Sequence, residues 1–198
     1  LYPGLAFLLL SFIYLILSLW QITNVGAEYD ELLAINGALG CPAGDVFAVF
    51  SKDLFGRCWP IMLSSYIGAI QAYFYGFYFL FFPRTIFWLR ISHLLPIFVA
   101  NFFLFLILKK RFSKKVALLT TFFLYFDAAF LFTIRFDRPT ALPYLWRVLF
   151  LFLLWFKSPN YQRLRQVVLG LIVGLAIYTK LDALFFFDSI LGVKILID

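Results

Sequence analysis

Ile61-Met62-Leu63-Ser64-Ser65-Tyr66-Ile67-Gly68-Ala69-Ile70-Gln71, continuing through Ala72-Tyr73-Phe74-Tyr75-Gly76-Phe77-Tyr78 to Phe82, is the stretch on which the topology of this chain turns. It is long enough to cross a bilayer, yet Ser64, Ser65, Gln71 and six glycines and tyrosines interrupt it. A segment of that kind can lie in the interface as an amphipathic or re-entrant helix instead. If it crosses, the polar loops on its two sides face opposite compartments; if it does not, they share one. We read it as non-crossing.

The surrounding sequence leaves little choice of class. Of the 198 residues, 64% are hydrophobic and 22% aromatic, Phe alone contributing 28, while charged residues make up 14%. A mean hydropathy of +0.96 goes with this. Soluble domains carry about a quarter charged residues, so the chain reads as an integral membrane protein. The expected fold is all-α, a polytopic transmembrane helix bundle with an extracytoplasmic loop carrying short amphipathic helices. Spans are expected at about 5–20, 91–108, 116–134, 140–156, 167–178 and 183–197, with an outer loop over 21–90, all within one transmembrane domain.

Net charge is +7. In a soluble protein that balance would suggest nucleic acid; here the excess sits in loops bounding apolar runs, as the positive-inside rule expects, so no nucleic-acid partner is implied. Lys109-Lys110-Arg111-Phe112-Ser113-Lys114-Lys115 is the densest run, and Lys157, Arg163 and Arg165 form the second. Two intervening spans put both on the cytoplasmic side. The loop from Gln21 to Pro60 is net acidic and falls outside. The first span shows no basic n-region or small-residue cleavage site and reads as a retained anchor. A start at Leu1-Tyr2-Pro3 and an end soon after an apolar segment read as the N-terminal piece of a longer protein, not expected to be active by itself.

Within the outer loop, Asp30 to Leu39 has helical periodicity, and Val46 to Leu54 reads as a second short helix with Asp45 as N-cap. Five of the ten carboxylates fall between Glu28 and Asp53. Asp30 and Glu31 head the first helix; adjacent side chains there point about 100° apart, so they do not form a shared dyad. One can face a cavity as a general base while the other caps the helix. Arg57 can bind phosphate or snorkel beside Trp59. Arg135-Phe136-Asp137-Arg138 packs three charges into a short outer turn. Lys180, after Tyr178-Thr179, is a cation at the end of an apolar run, with Asp182 as its neutralising partner and a chain break leaving it near the outer face. Asp127 and Arg147 fall inside spans and are expected to pair. Gly170 and Gly174 form a Gly-x-x-x-Gly pattern that lets helices approach closely. Cys41 and Cys58 share the outer loop, and whether they pair is open. His93 reads as structural, and no Cys/His metal spacing is present.

In order along the chain, an outer loop opening on Asp30-Glu31, then Arg57-x-x-Pro60, Ser64-x-Tyr66-Ile67-Gly68-Ala69, a basic inner loop, Arg135-Phe136-Asp137 and Tyr178-Thr179-Lys180 resemble the membrane GT-C glycosyltransferases. The resemblance is to the glycosyltransferase family 39-like group, which includes protein O-mannosyltransferases and the aminoarabinose transferase of lipid A. It implies transfer of a sugar from a polyprenyl-phosphate-linked donor to a lipid, glycan or protein acceptor at the outer membrane face. It also implies Asp30 as general base, Arg57, Arg138 and Lys180 stabilising the departing phosphate, and Arg135 and Asp137 shaping the pocket. Many relatives have Lys where this chain has Gln71, so one phosphate contact is missing or supplied by Arg57. Members differ in divalent-cation use, which Asp30-Glu31 alone does not settle. A bacterial inner membrane is the expected setting, with the active site facing the periplasm or exterior, and the endoplasmic reticulum is second. The competing reading is a polytopic transporter or non-catalytic lipid-handling subunit, with Asp127, Arg147 and Lys180 along an ion or substrate path.

Overall fold

Pro3, whose missing N–H costs nothing in a first turn, opens helix α1, Pro3–Leu19. The computed structural model describes residues 2–20, 22–24, 26–42, 50–135, 140–156 and 161–197. Beyond α1 these form α2 (Tyr29–Ala38), β1 (Phe50–Leu54), β2 (Arg57–Met62), α3 (Ile70–Tyr78), α4 (Ile86–Arg111), α5 (Lys114–Phe126), α6 (Ala128–Arg135), α7 (Ala141–Trp155), α8 (Gln162–Thr179) and α9 (Ala183–Ile197). The protein is mostly helical. Each expected span coincides with a helix or, at 116–134, with the pair α5 and α6. One helix among the described residues, α4, is long and apolar enough to cross a membrane, and α1 and α7 are shorter apolar helices.

Capping and ring contacts set how the long helices run. Thr85 caps α4 through Trp88 N at 3.4 Å, and Ser113 caps α5 through Val116 N at 3.2 Å. Only Phe112 and Ser113 separate these helices, so they form a hairpin. Phe7 lies 4.6 Å from Phe105 and Tyr14 lies 5.6 Å from Phe98, so α1 runs antiparallel to α4. Tyr144 donates to Asn101 at 2.7 Å and Phe103 meets Phe152 at 4.6 Å, so α7 runs parallel to α4. At the centre of the α1–α5 contact Tyr14 stacks on Tyr125 at 4.3 Å; ring pairs of this kind add about 0.5–1.5 kcal/mol each beyond their burial.

These directions give the molecule two ends. The basic end holds the α4–α5 turn and the end of α7, joined where Lys110 lies 4.1 Å over Phe156 and Arg111 lies 5.5 Å over Trp155. The α4–α5 turn and the end of α7 therefore share an end. The acidic end holds α2, the hairpin, α3, the start of α4 and the α8–α9 turn.

At the acidic end the segment 61–82 turns back on itself. Ala69 N donates to Ile61 O and Leu63 N to Ile67 O, and Gly68 N then reaches Thr179 O at 3.3 Å. Leu181 N in turn reaches Tyr66 O at 3.1 Å, stitching this loop to the α8–α9 turn. A Cβ on Gly68 would stand 1.8 Å from Tyr178 O, so the stitch requires glycine there. Helix α3 has nine residues, about 13.5 Å of length against a hydrocarbon core of about 30 Å. The chain comes back through Phe82, stacked on Trp88 at 4.8 Å, directly into α4. Leu33 and Ala34 of α2 pack against Leu63, Ile67, Ala72 and Tyr75. Gly37 allows that approach, since a Cβ there would stand 2.9 Å from the Cβ of Ala72.

Three expectations are corrected here. The helix expected over Val46 to Leu54 is, in its described part, strand β1, paired antiparallel with β2, so the fold is not purely α; Asp45 and residues 46–49 lie outside the described residues. Phe55 and Gly56 both take positive φ, which closes a two-residue hairpin turn, and a Cys41–Cys58 disulfide anchors the second strand to the end of α2. The single span expected over 116–134 is two helices broken at Asp127, whose Oδ1 accepts from Phe130 N at 2.6 Å. Gly170 and Gly174 form no close approach, for a Cβ at either would meet nothing within 4 Å.

Candidate active site

The acidic end begins with helix α2 and the two carboxylates that open it. Glu28 and Glu31 form a reciprocal capping box, Glu28 N donating to Glu31 Oε2 at 2.8 Å. Glu31 is 0% exposed and is gripped by Arg90, from the second turn of α4, which is 1% exposed. Arg90 Nε meets Oε1 and Nη2 meets Oε2, both at 2.8 Å. The same guanidinium donates to Ile22 O and to Gly26 O, so it ties the stretch after α1, the start of α2 and α4 into one joint. Two parallel N–H···O bonds of this kind fix orientation as well as charge. Glu31 is thereby committed to structure. Asp30, one residue earlier and turned away, is half-buried and makes no hydrogen bond or ion pair among the described residues.

A cavity of about 370 Å³ opens at the same end, lined by Asp127, Thr140, Tyr144, Arg147, Lys180 and Asp182 among others. Helix α8 stops at Thr179, whose hydroxyl accepts from Trp146 Nε1 at 3.1 Å, and Lys180 turns out in extended conformation before α9 begins. This is the break expected from the sequence. Asp182 bridges two cations, with Arg147 Nη2 at 2.9 Å and Lys180 Nζ at 3.7 Å. The pairing of Lys180 with Asp182 is as expected, whereas that of Asp127 with Arg147 is not: Asp127 caps α6 and Arg147 turns to the α8–α9 turn. Arg147 Nε is closed to solvent and has no acceptor among the described residues, and a buried guanidinium N–H without a partner costs free energy.

Arg57 lies elsewhere. It lines a second hollow of about 260 Å³ with Gly40, Trp59, Tyr73, Phe77 and Leu80. Tyr73 donates its hydroxyl to Pro60 O. Desolvation, with a smaller contribution from neighbouring Tyr178, pushes that hydroxyl above the ordinary tyrosine value and keeps it a donor. Arg57 and Lys180 thus line different hollows. Arg135 ends α6, while Asp137 and Arg138 lie outside the described residues. Gln71 is buried and donates to Tyr75 Oη at 2.9 Å. Among the described residues no group of three or more His, Cys, Asp or Glu is placed to hold a metal ion.

Sequence reasoning missed Arg90 and took Arg147 for a structural partner. The available signal for Arg90 was a guanidinium in the otherwise uncharged run from Ile86 to Leu108, a position where a cation demands a partner. No protein-family model, curated protein or solved structure matches this chain.

Proposed function

We propose that the chain is part of a membrane glycosyltransferase that moves a sugar from a polyprenyl-phosphate donor to an acceptor at the outer face of a membrane, with Asp30 as general base. The observation that carries the reading is the charged cavity: Arg147 and Lys180 face it together, beside Asp127 and Asp182. A helix bundle in the bilayer is supported by the exposed apolar faces Leu5, Leu8, Leu9 and Phe12 on α1, Leu95 and Phe102 on α4, and Leu119 and Phe123 on α5, which soluble proteins avoid at that extent. Helices as short as α1 and α7 reach both interfaces by local thinning and snorkelling of flanking residues.

Two independent features support an orientation with the acidic end outside. The disulfide at the acidic end belongs in an oxidising compartment. Five cations in the α4–α5 turn belong in the cytoplasm.

In this mechanism Asp30 takes the proton from the acceptor hydroxyl or amine as it attacks the anomeric carbon with inversion. The bond from that carbon to the phosphate oxygen breaks, and the lipid phosphate leaves carrying the charge. Arg147 and Lys180 stabilise that charge as it grows. Glu31 and Arg90 hold the start of α2 in place, and Arg57, beside Trp59 and Tyr73, contacts the lipid or acceptor on the flank; the roles of Arg135, Asp137 and Arg138 at the donor phosphate rest on the resemblance alone. The test is sugar transfer and polyprenyl-phosphate release in membranes carrying the protein. Asp30→Asn should abolish both while insertion is intact, and wild-type transfer by that variant removes Asp30 as base. A second reading, a transporter path, draws on the four charged groups Asp127, Arg147, Lys180 and Asp182 in one cavity; it forecasts flux unaffected by Asp30→Asn and no transfer from wild type.

A further inference from the structure

At the opposite end of the molecule, Lys109, Lys110, Arg111, Lys114 and Lys115 fill the α4–α5 turn, and Arg163 and Arg165 open α8. All except the half-buried Arg165 are exposed. No carboxylate lies in the sequence between Asp53 and Asp127, or between Asp137 and Asp182, and Asp127 and Asp182 both line the cavity at the acidic end. The cluster therefore has no counter-ion along the elements that form it. Its cations are also held in place: Lys110 lies over Phe156 and Arg111 over Trp155, joining the α4–α5 turn to the end of α7. Exposed Phe112, Tyr161 and Leu164 stand among them, which gives the surface the mixed aromatic and cationic character of a headgroup boundary.

We propose that this surface is a binding site for the phosphodiester headgroup of an anionic phospholipid, with Lys110 and Arg111, held over Phe156 and Trp155, as the fixed cations and the rest of the α4–α5 turn supplying the surrounding charge. The proposal needs the chain to sit in a bilayer but not the sugar-transfer reading, and its test involves no donor sugar. Native mass spectrometry of the chain in neutral detergent would be titrated with phosphatidylglycerol and, separately, with phosphatidylcholine of the same acyl chains. Wild type should retain phosphatidylglycerol at least tenfold better. Each cation removed, as in Lys110→Gln or Arg111→Gln, should lower that preference about fivefold, whereas Lys52→Gln, on β1 at the other end, should not. Millimolar inorganic phosphate should leave the bound lipid in place. Equal retention of the two lipids, an unchanged preference in both Lys110→Gln and Arg111→Gln, or displacement by inorganic phosphate would overturn the proposal, the last pointing to a free-anion site.

Discussion

Replacing Arg90 by Gln should be among the most damaging single changes in the acidic end. The substitution deletes both N–H···O bonds to Glu31 and the donors to Ile22 O and Gly26 O. It leaves a fully buried carboxylate that has lost its guanidinium and keeps the bond from Glu28 N. Breaking one side of a buried pair costs about 3–5 kcal/mol, because the surviving charge stays desolvated. At about 1.4 kcal/mol per tenfold, that is roughly a hundred- to a few-thousand-fold in the opening equilibrium of this region. Hydrogen exchange of the peptide covering Tyr29–Ala38, in detergent or nanodiscs, reads that equilibrium directly. Glu31→Gln should act in the same direction, since it strands the guanidinium. The double variant Arg90→Met/Glu31→Leu should be much less damaging than the sum of the singles, because a hydrophobic pair of similar volume carries no desolvation cost. Exchange within twofold of wild type in Arg90→Gln, or additive singles in the double, would refute the buried-pair account.

The remaining predictions concern the stitch, the staple and the cavity. Gly68→Ala forces a methyl to within 1.8 Å of Tyr178 O and should destabilise by about 1–3 kcal/mol as overpacking, whereas Gly174→Ala, with open space around it, should be neutral or gain up to about 1 kcal/mol of helix propensity; thermal unfolding in detergent with the opposite order would sink this account of the two glycines. The disulfide closes a loop of 17 residues' separation, for which chain entropy gives about 3 kcal/mol, so Cys41→Ala/Cys58→Ala should raise exchange across α2 and the hairpin, and unchanged protection would deny it that role. Asp182→Asn removes the carboxylate that occupies both cavity cations. Because that pair is partly exposed, the gain is modest, up to about fivefold tighter binding of a short-chain prenyl phosphate by calorimetry, and weaker binding would show that Asp182 orients the cations instead of competing for them.

Which parts of this structure were legible in advance follows from how local each determinant is. Apolar runs broken by Lys, Gly or Pro located the long helices closely, because a run's length and its flanking cations are properties of the segment itself. The chain break at Thr179–Asp182 was legible for the same reason. The strand at Phe50–Leu54 was not: its backbone partners lie across the Phe55–Gly56 turn, and the staple that holds them reaches back to Cys41. Strand formation depends on such partners more than on the residues themselves. The Asp127–Arg147 pairing failed on depth along neighbouring helices. Asp127 sits at the break between α5 and α6, where an exposed carboxylate gains more from capping Phe130 N than from crossing to α7. Arg90 escaped because the span was drawn to begin at Ile91, which moved a buried cation into the loop on paper.

The pair at Asp30 and Glu31 shows why a residue-type pattern cannot assign roles by itself. Both are carboxylates at the same helix start, and either could be written as a base. Their directions differ by about 100°, and only one of them can point inward at Arg90. The carboxylate that does so accepts from the guanidinium and from Glu28 N, so a proton placed on it would sacrifice those bonds. A general base must gain and lose a proton in each cycle, and a group bonded in that way resists doing so. Asp30 carries no such bonds among the described residues, and it stands in the first turn of α2. The buried neighbour thus fixes where Asp30 stands while leaving it chemically unencumbered, which is the division of labour that proton abstraction at this helix would require.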